Sequence, residues 1–182
     1  CYGGYAVDEN TYFVGVADSW HNPRKLKITF DGGKTIIDTG MYFTKENINT
    51  GIESSYQSPT NPKVLFACDL RSEDGGHTWA KMDGCINVYT HNPKGQKELY
   101  GMDETGKYIV TSYDDGKTWK KVNNTEFIPN PKYASAHIMD VAYDWKNEVA
   151  YAACEGGYLY KTSTKDGSVE CVLNRYVDEY KR

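Results

Sequence analysis

Four acids each follow a short apolar run: Val16-Ala17-Asp18, Ala67-Cys68-Asp69, Gly101-Met102-Asp103 and Ala153-Cys154-Glu155. Carboxylates brought together at one mouth can act as the acid and base of glycoside hydrolysis, hold a cation, or bind a basic or hydroxylated ligand. Asp18, Asp69, Asp103 and Glu155 are therefore the catalytic candidates. The competing expectation is that each caps the turn behind its own run through backbone N–H bonds, since Asp is a common turn former. Three long loops, 18–25, 40–51 and 123–136, carry a second set of groups. Ring faces stack on the apolar C–H patches of a sugar while polar neighbours bind its hydroxyls, so Trp20, His21, Arg24, Tyr42, Phe127 and Tyr133 are candidate ligand contacts. A loop aromatic, these or Phe43, also has a plainer use, plugging its own loop onto the scaffold.

Groups so far apart in sequence converge only if the elements carrying them repeat, and repetition is the strongest signal in the chain. Ser72-Glu73-Asp74-Gly75-Gly76-His77-Thr78-Trp79 and Ser112-Tyr113-Asp114-Asp115-Gly116-Lys117-Thr118-Trp119 both read S-x-D-x-G-x-T-W. Thr29 to Ile36, with Asp31 and Gly33, is the same pattern with Ile36 for Trp, and Ser163 to Glu170 is a decayed fourth copy with Lys165 for Asp and Glu170 for Trp. The copies start 43, 40 and 51 residues apart, the spacing of four-stranded propeller blades. Each residue type has a mechanical task in a tight turn: Asp accepts backbone N–H bonds, Gly takes positive φ, and Ser or Thr hydroxyls close the ends. The Trp is expected to anchor the turn between neighbouring sheets, Ile36 to supply only its apolar contact, and the fourth turn to be held less rigidly.

The pattern resembles the Asp-box, or bacterial neuraminidase repeat, of sialidases, xyloglucanase-type glycoside hydrolases, sortilin-type receptors and photosystem-assembly propellers. That resemblance implies an all-β propeller in which Asp31, Gly33, Ser72, Asp74, Gly76, Trp79, Ser112, Asp114, Gly116 and Trp119 are structural, with the boxes on the face opposite any active site. Drawn outward from the boxes, the blades span about 1–40, 50–83, 85–123 and 136–174 within a single region, 1–182. Strands are expected over Gly4–Val7, Tyr12–Val16, Leu26–Thr29 and Thr35–Ile37 in the first blade, and similarly in the others. Four blades are expected to be part of a larger propeller, completed by further blades of the same parent chain or of another subunit, the alternative being a closed four-bladed ring with its own closure. A sialidase needs an Arg triad, which Arg24, Arg71, Arg175 and Arg182 do not assemble within this chain. A xyloglucanase-like reading fares better, because Ala153-Cys154-Glu155-Gly156-Gly157-Tyr158 resembles the segment that carries a catalytic Asp, offset by one residue.

Composition narrows the classes. The 182 residues are 39% hydrophobic and 25% charged, with 16 Tyr and 17 Gly, as expected of many short strands and turns. A net charge of -4 gives no counterion-release drive toward nucleic acid. No apolar run approaches the length of a membrane helix, so no membrane insertion is expected. The four His lie far apart and no CxxC occurs, so neither a metal nor another cofactor is expected. Five Cys leave at least one free thiol, with Cys68 and Cys154 expected buried. The chain opens at Cys1 rather than Met, as a processed or excised piece would. The function expected is a non-catalytic module that binds a glycan or protein ligand on its loop face, within a secreted, cell-surface or virion protein. The alternative is a glycoside hydrolase fragment, xyloglucanase-like or sialidase-like, using paired carboxylates.

Overall fold

A computed structural model describes residues 4–16, 24–43, 54–94, 97–127 and 137–174. Among them there is no helix; the chain forms four antiparallel four-stranded sheets, each a meander in sequence order. The first sheet holds β1 (Gly4–Ala6), β2 (Tyr12–Val16), β3 (Lys25–Thr29) and β4 (Ile37–Tyr42). The second holds β5 (Ser55–Gln57), β6 (Leu65–Ala67), β7 (Leu70–Ser72) and β8 (Ala80–Lys81). β9 (Asn87–His91), β10 (Leu99–Met102), β11 (Ile109–Ser112) and β12 (Lys120–Lys121) form the third. The fourth comprises β13 (Ile138–Asp144), β14 (Val149–Cys154), β15 (Tyr158–Ser163) and β16 (Val169–Asn174). Two compact units emerge, Cys1–Val88 and Tyr89–Arg182.

Side-chain alternation decides which faces are covered. In β2, Phe13 and Gly15 are buried while Tyr12, Val14 and Val16 are half-buried; in β3, Leu26 and Ile28 are buried between Lys25 and Lys27. Such period-2 patterning marks a sheet with one packed face. By contrast, Leu65-Phe66-Ala67, Leu99 to Met102 and Ile109 to Ser112 are buried throughout. The first unit is built around Phe13, Leu26, Ile28, Leu65, Ala67 and Leu70, with Trp79 against them. Trp79 meets Phe13 edge-on at 5.3 Å, and His77 stacks on Phe30 at 4.2 Å, so the second sheet's turn lies on the first sheet. In the second unit Tyr100 stacks on Tyr143 at 4.3 Å and Phe127 on Tyr160 at 4.8 Å, joining the third sheet to the fourth.

The repeated turns have one geometry in three copies. The Thr29, Ser72 or Ser112 hydroxyl donates to Asp31, Asp74 or Asp114 at 2.8–2.9 Å and accepts the N–H of Gly33, Gly76 or Gly116 at 2.8–3.0 Å. The same carboxylates accept the N–H of Thr35, Thr78 and Thr118 at 2.8–2.9 Å. Two consecutive positive-φ residues make the bend, and in the third copy one of them is Asp115, at φ 62°. Eight residues separate the flanking pairs Ile28 and Ile37, Arg71 and Ala80, and Thr111 and Lys120.

Three expectations change here. The fourth copy is a shorter hairpin, with six residues between the paired Thr162 and Val169; Glu170 lies opposite Lys161 in the ladder, and so does not stand in for the Trp. Ile36 is 53% exposed, so it makes no packed contact equivalent to that of Trp79. The fourth strand of the first sheet runs on to Tyr42, past the expected loop start at Gly40, because a bulge absorbs two extra residues between the partners of Lys27 and Lys25. Gly40 takes φ 72° within that bulge. Among the described cysteines none is in a disulfide: Cys68, Cys85 and Cys154 are buried and Cys171 is exposed.

Candidate functional site

In the first unit Asp69 sits in the tight turn that joins Ala67 to Leu70, where Cys68 takes φ 49°. Asp69 is 1% exposed, and its side chain forms a direct ion pair with Lys81 of β8. In the second unit Asp103 opens a six-residue turn between Met102 and Ile109. Its carboxylate accepts the Thr105 hydroxyl at 2.8 Å and the N–H groups of Lys107 and Tyr108 at 3.2 and 3.1 Å. Lys121 of β12 approaches it at 3.8 Å while standing 3.4 Å over the Tyr108 ring. Asp103 thus caps its own turn, and a lysine from the fourth strand covers its remaining charge. Glu155 donates its backbone N–H to the His137 carbonyl at 2.9 Å, and its residue is exposed.

Those lysines escaped the sequence reading, although the signal is there: each stands two residues after the turn Trp, in Trp79-Ala80-Lys81 and Trp119-Lys120-Lys121. A single acid–lysine device therefore recurs at the second-strand exits of the second and third sheets. The aromatic candidates divide. Phe127 is fully buried against Tyr160, so it plugs its loop. Tyr42 is 45% exposed, with the Lys25 ammonium 5.4 Å from its ring, and remains open to a ligand. Arg24 is buried, its carbonyl accepting the Phe43 N–H at 3.0 Å. Asp18, Trp20, His21 and Tyr133 lie outside the described residues. Of the other arginines, Arg71 is spent on Glu73 at 2.6 Å.

A second polar cluster, also missed, is buried in the third sheet. Glu98 accepts the Tyr100 hydroxyl at 2.5 Å and the Asn92 amide at 2.6 Å. Burial, together with the Glu98 carboxylate beside it, pushes the Tyr100 phenol far above its usual range. The turn acids move the other way. For Asp74, burial pushes upward but is outweighed by the Thr78 and Ser72 hydrogen bonds, which bring the carboxyl to about 2. Asp114 is lowered by the same balance, and Asp31 by the Thr35 N–H first. Among the described residues no group of three or more His, Cys, Asp or Glu could hold a metal ion, and no helix is long and apolar enough to cross a membrane.

No family profile matches the chain, and no curated protein matches it in sequence. Solved structures do match. An ancestral GH74 enzyme superposes with TM-score 0.63 at 17% identity, over 94% of this chain and 25% of its own. The GH74 xyloglucanase from Xanthomonas campestris gives 0.57 at 16%, over 91% of this chain and 29% of its own. A GH74 enzyme from Niastella koreensis gives 0.56 at 19%, over 90% and 28%. With four sequential antiparallel four-stranded sheets on the page, these likenesses decide the architecture. The fold is that of β-propeller blades. Four blades lie in this chain, which spans between a quarter and a third of the length of these three structures.

Proposed function

We propose that the chain is a non-catalytic stretch of propeller that binds a glycan or protein ligand on the face formed by its second-strand exits, as part of a secreted, cell-surface or virion protein with further blades. The observation that carries this reading is the engagement of its acids. Asp103 is bound by three donors of its own turn and Asp69 by Lys81. Neither is poised to give or take a proton from a substrate, a task that needs a carboxyl within hydrogen-bond reach of the reacting group. What stays open on the described surface is Tyr42, Glu155 and the half-buried Tyr108 with its lysine, groups suited to contact rather than turnover. A glycan array probed with the purified chain, paired with a reducing-end assay on xyloglucan and other polysaccharides, tests this reading. Binding without release of reducing ends is expected; sustained release would overturn it.

The second reading, a glycoside hydrolase fragment, is favoured by the fold shared with GH74 enzymes. With Asp69 and Asp103 committed, it rests on Asp18 and Glu155. Turnover that disappears in both Asp18→Asn and Glu155→Gln would establish it.

A further inference from the structure

The chain contains a single Asn-x-Thr or Asn-x-Ser triplet, Asn123-Asn124-Thr125. In an exported protein such a triplet is ordinarily an acceptor for Asn-linked glycan on a surface loop. Here its first residue is enclosed. Asn123 is 2% exposed just beyond the end of β12, whereas Asn124, Thr125 and Glu126 are exposed. Its amide is in use at both ends. Oδ1 accepts the Ile109 N–H at 2.8 Å, and Nδ2 donates to the Lys107 and Thr125 carbonyls at 3.3 and 2.7 Å. Because the Ile109 carbonyl takes the Val122 N–H at 2.8 Å, the Asn123 side chain stands where the Val122 carbonyl would stand if the ladder of β11 and β12 continued. The side chain thus finishes a sheet that its own strand has left.

The stretch around it is tied down on the fourth blade. Asn124 donates its N–H to the Gly167 carbonyl at 2.9 Å and its Nδ2 to the Asp166 carbonyl at 3.3 Å. A Cβ on Gly167 would lie 2.6 Å from the Val122 carbonyl oxygen, so the two segments touch backbone to backbone. Phe127 stacks on Tyr160, and its N–H shares the Lys107 carbonyl with Asn123. Glycan transfer forms a bond from Nδ2 to the anomeric carbon of the sugar and breaks that carbon's bond to the pyrophosphate of a polyprenyl-linked donor. One amide proton leaves with the released pyrophosphate. A single N–H then remains for two carbonyls, and a bulky sugar must stand where the side chain is enclosed. A buried polar group left without its hydrogen bond is costly.

We propose that Asn123 is a structural amide rather than a glycan acceptor: the folded protein is unmodified there, and a chain that receives a glycan at Asn123 before folding does not reach this fold. The triplet and the fold compete for the same nitrogen. For the exported location proposed above, on which this consequence alone rests, the route has to spare the amide until the chain has folded.

Two ways of deleting the triplet separate its roles. Thr125→Ala deletes it at an exposed side chain while keeping the Thr125 carbonyl and the Asn123 amide; Asn123→Ser deletes triplet and amide together. Made in a bacterial cytoplasm, the parent and Thr125→Ala should share one urea midpoint, and Asn123→Ser should melt at a clearly lower one. An Asn123→Ser midpoint equal to the parent's would overturn the proposal. Sent through a glycosylating secretory pathway behind a cleavable signal, the parent should yield protease-resistant protein whose mobility is unchanged by an amidase that removes Asn-linked glycans. Any glycan should be confined to protease-sensitive chains. As a control, Glu9→Asn combined with Thr125→Ala moves the same Asn-Asn-Thr triplet to the exposed turn between β1 and β2, and its protease-resistant protein should shift. Protease-resistant parent protein bearing a glycan on Asn123 would overturn the proposal.

Discussion

Trp79 and Trp119 occupy the same place in their turns, yet their indole nitrogens differ. Trp79 Nε1 donates to the Gly76 carbonyl at 2.8 Å, whereas Trp119 Nε1 is buried with no hydrogen-bond partner among the described residues. Phenylalanine keeps most of the ring and removes the N–H. Trp79→Phe should therefore cost about 1 kcal/mol, while Trp119→Phe should be neutral or slightly stabilising because it removes a buried donor that gains nothing. Urea melts of the two variants would check the difference, and equal losses would refute the argument. Ile36→Ala should change stability by less than about 0.5 kcal/mol, as expected of an exposed site away from special features. The turn acids make a separate prediction. Their folded pKa values lie below the unfolded value of about 3.9, so the stability they confer is complete above that value and is lost as pH falls through the folded values, which for Asp74 means about 2. Thermal melts from pH 5, about a unit above the unfolded value, down to about pH 2, where Asp74 titrates, should show this decline, and Asp74→Asn should make it shallower while lowering stability at neutral pH.

At the scale of the element, Gly75 and Gly76 separate backbone strain from packing. Both have positive φ, but a Cβ on Gly75 meets nothing within 4 Å, whereas one on Gly76 would lie 2.5 Å from Ile28 Cδ1 of the neighbouring blade. Gly75→Ala should cost about 1–2 kcal/mol from the left-handed conformation alone, and Gly76→Ala a further 1–3 kcal/mol or so from overpacking. Chemical denaturation compares them directly. The turns were legible in the sequence because their chemistry is local: Ser or Thr, Asp, Gly and Thr close one another within eight residues, and three copies share hydrogen bonds of nearly equal length. Strand order followed from the same spacing. The fourth turn was misread because Ser163, Asp166 and Gly167 keep the composition of the box while the ladder shortens by two residues, a change visible only in pairing. The exit acids were half legible. Their recurrence was plain, but whether a carboxylate faces a ligand or its own turn depends on loop length and on Lys81 and Lys121, which come from a strand drawn in by tertiary pairing.

For the whole molecule, the first and fourth sheets differ from the second and third in a way that stability can register. β2, β14 and β15 each keep one less covered face, whereas β6, β10 and β11 are buried throughout. Local opening costs less where fewer apolar contacts are buried, so amide hydrogen exchange should be faster in β2, β14 and β15 than in β6, β10 and β11. Equal protection across all six strands would mean that the less covered faces are as stable as the buried ones.

The cysteines supply a means of watching the last blade. Burial pushes the Cys154 thiol up to about 12, and Cys68 and Cys85 are equally enclosed, while Cys171 is exposed on β16 two residues from Leu173. Only a thiolate attacks a maleimide or iodoacetamide, so among the described thiols the folded protein should take a dye first at Cys171. A fluorophore can thus be hung on the rim of the last blade without altering the sequence, and its emission would report in real time whether that rim is wet or covered.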